Sequence, residues 1–385
     1  MEAIPIPSPR EDRAWEQIVK DADKHALTPI LYRWLCRDGW DSRLPPGLHE
    51  QLRQRVFGLA ARNLILAQEL ANILREFEAR RLACMPLRGP ALAEQLYGET
   101  ITRPMGDLDL LVPRHSLAEA GRTLADLGFV EMDRRPGFSR TYSYTLKFIK
   151  DQHGWIIVEP HWTIAYPPFA ERLDMSGVWE RSVQGQAVGV NTRLLSRADL
   201  LLHLCFHLLH RGREAPLLWY YELDQLIRRH HRDLDWASLA LIAQQTGQAF
   251  LVSQVFEKLQ SALQTPVPQE VLSQLSQPSA SGVTRPVAGW VERRLARLMI
   301  NEANVDGVES FALLLTLKSL RAKLTYAFAL LFPSPAFMVL QYGLSDRKTL
   351  GLWYLRRAGC LTWEALKGFV GLIASHRTAD HRPRP

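Results

Sequence analysis

The sequence predicts an α+β protein, a small mixed β-sheet core wrapped by N-terminal helices and followed by a mainly helical C-terminal region. Three observations predict it. Residues 51–81 hold no proline and a single glycine, Gly58, while Leu59, Leu66, Leu70, Ile73, Leu74 and Phe77 recur at helical spacing. From residue 82 the texture changes to short apolar, β-forming runs punctuated by glycine and proline. Beyond residue 197 long helical patterns return, over 197–210, 217–230, 236–245 and 249–263.

Taken in order, 82–87 is a short apolar run ending in an Arg88-Gly89 turn, and Pro90 sits where a helix accepts its first residue. That helix continues over 91–97. Residues 107–112 read as a short buried strand closed by Pro113, and 116–127 as a helix stopped by Gly128. Strands are expected at 129–132 and 141–149, with His153-Gly154 turning the chain into a further strand at 155–159. The implied organisation is an N-terminal helical region (1–81), a core (82–195), a helical domain (196–264), a Pro/Ser/Gln-rich linker (265–286), a C-terminal helical region (287–376) and a disordered tail (377–385).

The 385 residues are 47% apolar and 23% charged, the composition of a soluble globular protein with room for substantial cores. The opening MEAIPIPSPRED has neither a basic start nor an apolar run, so no signal peptide is expected. Cys36, Cys84, Cys205 and Cys360 are scattered without metal-ligand spacing, which suits a reducing cytoplasm. Residues 290–385 carry 14 Lys and Arg against 7 acids, which accounts for the whole net charge of +7. A basic third can attract nucleic acid, an acidic peptide or anionic lipid, although a solvated helical surface is the expected explanation. The uncharged segment 324–345 is cut by Pro333 and Pro335 into pieces too short to cross a bilayer. No transmembrane span is expected, and peripheral membrane contact stays open.

The chemistry is expected at Asp107 and Asp109. Residues two apart in a strand share a face, so these carboxylates converge while Leu108 and Leu110 enter the core. Two converging carboxylates repel, and a divalent cation removes the conflict. Oxygen donors suit Mg²⁺ (or Mn²⁺), which takes its remaining ligands from water and substrate phosphate. Asp-x-Asp also occurs at Asp21/Asp23, in a polar stretch, and at Asp233/Asp235, where Asp235 reads as the N-cap of the next helix. Only the pair at 107 and 109 sits in an apolar strand. A third acid, Glu159, ends the apolar run Ile156-Ile157-Val158 and completes the set if its strand neighbours that of Asp107. It can then share a metal or serve as general base on an acceptor hydroxyl.

Three runs, Pro86-Leu87-Arg88-Gly89-Pro90-Ala91-Leu92-Ala93, Arg103-Pro104-Met105-Gly106-Asp107-Leu108-Asp109-Leu110-Leu111-Val112 and Val158-Glu159-Pro160-His161-Trp162, resemble the uncharacterised nucleotidyltransferase family of the DNA polymerase β-like superfamily. The core likeness covers roughly 82–165, and a weaker echo extends it to about residue 250. The resemblance implies an enzyme that moves a nucleoside monophosphate from an NTP, with ATP the expected donor, to a peptide or small-molecule acceptor in a biosynthetic pathway. Asp107, Asp109 and Glu159 are the implied catalytic and metal-binding acids, and the Arg88-Gly89 turn is implied to lie near the phosphates. The family usually has lysine where this chain has Arg88; arginine keeps the charge but not the compact shape. Arg103 is a further candidate for neutralising triphosphate charge.

His161 is expected to hydrogen-bond a catalytic acid rather than ligate metal. His203, His207 and His210 share a helix face and are expected to line a contact or cleft rather than hold zinc. Asp224 has either an active-site role or an intrahelical pair with Arg228. Two other functional classes remain: a nucleotide-binding or interaction subunit with little catalysis, and a nucleic-acid-modifying enzyme.

Overall fold

The computed structural model describes residues 12–132, 137–152, 154–166, 169–277, 314, 317, 319–344 and 349–374. Helices α1 (Asp12–Lys24) and α2 (Thr28–Arg37) and the start of α3 (Pro46–Ala79) close around Trp15, Val19, Leu35, Leu44 and Leu52. Proline in its first turn suits the start of α3, where no amide hydrogen is needed. The later turns of α3 bury Leu66, Leu70, Ile73, Leu74 and Phe77 against the sheet.

The central sheet contains β1 (Met85–Pro86), β2 (Leu108–Leu111), β3 (Val130–Glu131), β4 (Phe148–Asp151) and β5 (Trp155–His161), in the order β1-β2-β5-β4-β3. The β2/β5 pair is parallel and the other pairs are antiparallel, so the sheet is mixed. Gly154, at φ +91°, makes the turn between β4 and β5 that brings β5 back beside β2. Strand alternation then divides the side chains. Leu108, Leu110 and Val158 enter a core with α3 and with α5 (Leu117–Asp126), whereas Leu111 joins the core of the helical domain on the other face. The odd-numbered acids of β2 and β5 therefore look toward that domain.

The helical domain contains α8 (Arg197–Arg211), α9 (Leu217–His230), α10 (Trp236–Gln245), α11 (Ala249–Leu263) and α12 (Gln269–Ser276). Asp235 caps α10, its side chain accepting from the Ser238 amide, as the sequence predicts. The chain also forms α4 (Gly89–Tyr97), α6 (Phe138–Tyr142), α7 (Met175–Arg181) and a hairpin of β6 (Val183–Ala187) and β7 (Val190–Leu194), the hairpin packing beside β1, α3 and α4.

Two expectations need correction, and one element carries no expectation. Residues 141–149 are not one strand, because the Phe138/Tyr142 pair lies in α6 and both rings pack on Tyr326, leaving only Phe148 and Ile149 of that stretch in β4. The expected linker 265–286 begins as folded chain. Val267 is buried, and Val271, Leu272 and Leu275 form the buried stripe of α12, so apolar spacing prevails over a Pro/Ser/Gln-rich composition. The β6–β7 hairpin was not anticipated. Residues 278–286, the tail 377–385 and parts of 287–376 lie outside the described residues. In the last region, helices Leu320–Leu331, Pro335–Tyr342 and Leu350–Ala374 are described, and the uncharged 324–345 stretch is broken at Phe332–Ser334 as expected. Among the described residues no helix is long and apolar enough to cross a membrane.

Candidate active site

Parallel pairing sets Asp109 of β2 directly beside Glu159 of β5, and Leu111 beside His161. Paired residues of adjacent strands present their side chains on one face, so Asp109, Glu159 and His161 converge. One ligand atom from each lies within 4.8 Å of the other two. Asp107 stands one residue ahead of β2, partly buried, and is outside that convergent trio, although the charge of Asp109 acts on it strongly.

Asp109 is buried, and both its oxygens are engaged. Arg88 Nη2 donates to Oδ2 at 2.5 Å, and His161 Nε2 lies 3.1 Å from Oδ1. The hydrogen bond expected from His161 to one of the candidate acids is thus present. Burial pushes the Asp109 carboxyl up, but the Arg88 charge and the His161 bond outweigh it and hold it well below the usual carboxylate range. Its neighbours move the other way. The Asp109 charge, then burial, raises Asp107, whereas burial, then the Asp109 charge, raises Glu159. Carboxyls pushed upward by one another's charge and by burial are the pattern expected of a cluster that a cation would balance. Glu159 reaches solvent, its side chain 21% exposed, with Lys147 Nζ 3.8 Å from Oε1.

Arg88 is positioned by the turn that opens α4. Gly89 adopts φ +59°, a left-handed conformation disfavoured for other residues, and lies beside the Asp107 carbonyl. The same turn lets the Leu87 amide bond the Asp109 carbonyl, tying β1 to β2. The Arg88 Nη1 group meets His207 Nε2 on α8. A guanidinium only donates, so Nε2 must be the accepting nitrogen of a neutral His207. Its Nδ1–H then donates to the Tyr166 hydroxyl at 2.9 Å. Burial, followed by the Arg88 charge, drives the His207 pKa well down, which agrees with this tautomer.

Arg103 lies near enough for its charge to lower the Asp107 pKa, but its fork is engaged elsewhere. Nε and Nη2 donate to the two oxygens of buried Glu222, at 2.7 and 3.3 Å. The expected phosphate contact is therefore not prepared at Arg103, which ties the 100–103 loop to α9. Asn63 holds that loop from the other side through the carbonyls of Thr100, Ile101 and Arg103.

The α8 histidines line a buried contact with Tyr166 and its neighbours, one of the two expected arrangements. His203 Nδ1 bonds the Ile164 carbonyl, and the His210 ring stacks on Tyr166 with centroids 4.3 Å apart. Burial lowers His203 to about 3 and His210 to about 4, so both are neutral. Asp224 accepts from Arg228 and Thr265, which settles it as a structural acid. Sequence reasoning missed His207, Tyr166 and Glu222 as partners of the site. Helical spacing signalled the histidine face, but nothing in the sequence joined His207 to Arg88. Past the ends of β2 and β5 opens a cleft of about 520 Å³, lined by Arg114, Tyr142, Trp162, Thr163, Glu171 and Trp179.

Residues 11–264 match the model of a family described as uncharacterised nucleotidyltransferase, which covers most of the chain and all of this geometry. No curated protein and no solved structure matches the chain.

Proposed function

The chain belongs to this nucleotidyltransferase family, and from that premise we propose that it transfers a nucleoside monophosphate from an NTP, ATP foremost, to an acceptor hydroxyl or amine with release of pyrophosphate. The observation that carries the proposal is the pairing of Asp109 with Glu159, which brings carboxylate donors together across two parallel strands. The donor set fits a divalent cation such as Mg²⁺ or Mn²⁺: Asp109 and Glu159 would hold it, with Asp107 as a third carboxylate beside them. When bound, such an ion supplies Lewis-acid stabilisation of the phosphoryl oxygens.

The protein's own groups do the rest. Arg88, anchored by His207, swings from Asp109 to the triphosphate, where charge develops on the leaving pyrophosphate. Gly89 permits the turn that lets the chain approach the phosphates. Glu159, with its raised pKa and its path to solvent, orients the acceptor and takes its proton. Arg103 contributes through its field at Asp107, since its donors hold Glu222. The cleft of about 520 Å³ is of a size that accepts a small molecule or a peptide end. We infer a reaction in the cytoplasm, where NTPs are supplied, as a step of biosynthesis.

The buried Arg88–Asp109 pair favours one rival, a subunit that binds nucleotide without turning it over. ATP labelled at the α- or the γ-phosphate separates the readings, with Mg²⁺ present or absent and small molecules, peptides or RNA offered as acceptors. The proposal expects Mg²⁺-dependent α-label in the acceptor and unlabelled acceptor from γ-labelled ATP. Transfer of γ-label, or tight ATP binding with no transfer to any acceptor, overturns it. Transfer of α-label to RNA alone would make this a nucleic-acid-modifying enzyme.

A further inference from the structure

Resting on that reading, we propose that His161 is itself a metal ligand, so that the site is a two-carboxylate, one-imidazole centre selective for Mn²⁺-type transition ions over Mg²⁺. Glu159 and His161 lie two apart on β5 and project from one face, and the β2/β5 register sets Asp109 between them. Among the described residues, this is the group whose His, Cys or acid donors converge within 4.8 Å, and it includes the imidazole rather than Asp107.

The surroundings hold His161 where a ligand would be needed. It is almost fully buried, and the Tyr144 ring packs against the imidazole with centroids 5.5 Å apart. Its Nε2 points at Asp109 Oδ1, 3.1 Å away, so the nitrogen and that oxygen flank a common point. Two groups placed to share a proton in this way can share a cation in its place, with the ring hydrogen carried on Nδ1. Imidazole suits Mn²⁺ and later first-row ions, whereas Mg²⁺ prefers oxygen and keeps most of its water. One nitrogen donor thus shifts the preference without removing the carboxylates that either ion needs.

Loss of affinity on mutation cannot decide the matter, because a histidine that merely orients Asp109 also affects binding, by about 10- to 100-fold in comparable sites. The full-length protein is therefore titrated with MnCl₂ and, separately, MgCl₂ in the absence of nucleotide, and bound Mn²⁺ is examined by pulsed EPR for a directly coordinated ¹⁴N. The wild-type protein is expected to show that nitrogen coupling. His161→Gln should lose it and bring the Mn²⁺/Mg²⁺ affinity ratio down at least about tenfold, while Glu159→Gln binds more weakly and keeps the coupling.

Mn²⁺ bound through oxygen alone in the wild type, or an affinity ratio unchanged in His161→Gln, overturns the proposal. The wild-type spectrum needs no variant to fold. α-label transfer measured in parallel separates this failure from that of the transferase reading. Oxygen-only Mn²⁺ with intact transfer removes the His161 assignment alone, whereas no divalent binding with or without ATP removes both.

Discussion

Arg88 and Asp109 form a buried ion pair, Nη2 to Oδ2 at 2.5 Å, with Asp109 almost completely buried and the arginine side chain 10% exposed. The pair joins the turn before α4 to the centre of β2, which the sequence sets 21 residues apart. It also keeps Asp109 ionised while Asp107 and Glu159 are pushed toward the protonated form. On the proposed reading, a cation bound here shares Asp109 with Arg88, and movement of the arginine to the phosphates would release the carboxylate.

Asp109→Asn removes the charge and keeps the shape. It should abolish nucleotidyl transfer, because it removes the carboxylate that Arg88 and His161 hold ionised and that a cation would share with Glu159. It also leaves the buried Arg88 charge uncompensated, a loss of about 3 kcal/mol. Circular dichroism should show a folded protein with a lowered Tm, and label transfer should fall to background. A variant as active as the parent with Mg²⁺ or Mn²⁺ present would show that the site is elsewhere.

Arg88→Ala should move two affinities in opposite directions. NTP binding weakens by roughly 10- to 100-fold, the range for losing a charge-assisted hydrogen bond, while divalent binding without nucleotide strengthens because Asp109 is no longer shared. Arg88→Lys should retain most NTP binding. Isothermal titration reads both quantities. If both affinities fall together in Arg88→Ala, the arginine is holding the fold rather than the phosphates.

His207→Phe keeps a ring in the wall but removes the acceptor for Arg88 Nη1. KM for NTP is expected to rise about fivefold, the value of one ordinary hydrogen bond, with kcat less affected. His207→Gln, which offers an amide oxygen, should recover part of the loss. Equal KM values for Phe and Gln at this position would show that the ring, and not its nitrogen, matters.

Much of this arrangement was legible in the sequence. The pairing of Asp109 with Glu159 is legible because charged residues inside apolar β-forming runs need a reason, and His153-Gly154 signals a return of the chain into the sheet. The helices of 197–263 were legible because apolar residues repeat along them at one period. Other features depend on partners distant in the chain. Arg103 reads as a free loop cation until Glu222, 119 residues later, occupies its fork. The β6–β7 hairpin turns at Val188-Gly189 with both residues at positive φ, 48° and 73°, and a valine there conceals the usual turn signal. The strand expected over 141–149 failed because Phe138 and Tyr142, four apart, pack with Tyr326 from far along the chain. For Arg103 and for residues 141–149 the missing information is a long-range contact that no local pattern encodes.

The last prediction concerns stability against pH at Glu159. Burial and the charge of Asp109 hold this carboxyl above its ordinary value of 4.5. A group raised in the folded state favours folding while protonated; that contribution is complete below about pH 4.5 and is lost as pH rises through the folded value. Without divalent ions, ionised Glu159 is therefore a strain on the fold at neutral and alkaline pH. Glu159→Gln cannot ionise, so its Tm should exceed that of the parent at pH 8 by about 2 °C, the shift expected from a fraction of a kcal/mol to 1 kcal/mol in a domain of this size. The difference should close as pH falls toward 4.5, where the parent carboxyl is also neutral. The exposed Lys147, 3.8 Å from Oε1, offsets little of the repulsion because surface pairs contribute weakly. Added Mn²⁺ should raise the Tm of the parent much more than that of Glu159→Gln, since the cation relieves a repulsion that the variant lacks. Thermal melts at pH 4.5, 6 and 8, with and without MnCl₂, test each part. A variant less stable than the parent at pH 8 in the absence of metal would mean that Glu159 is held by favourable contacts, and the three acids would not be a site built around a cation.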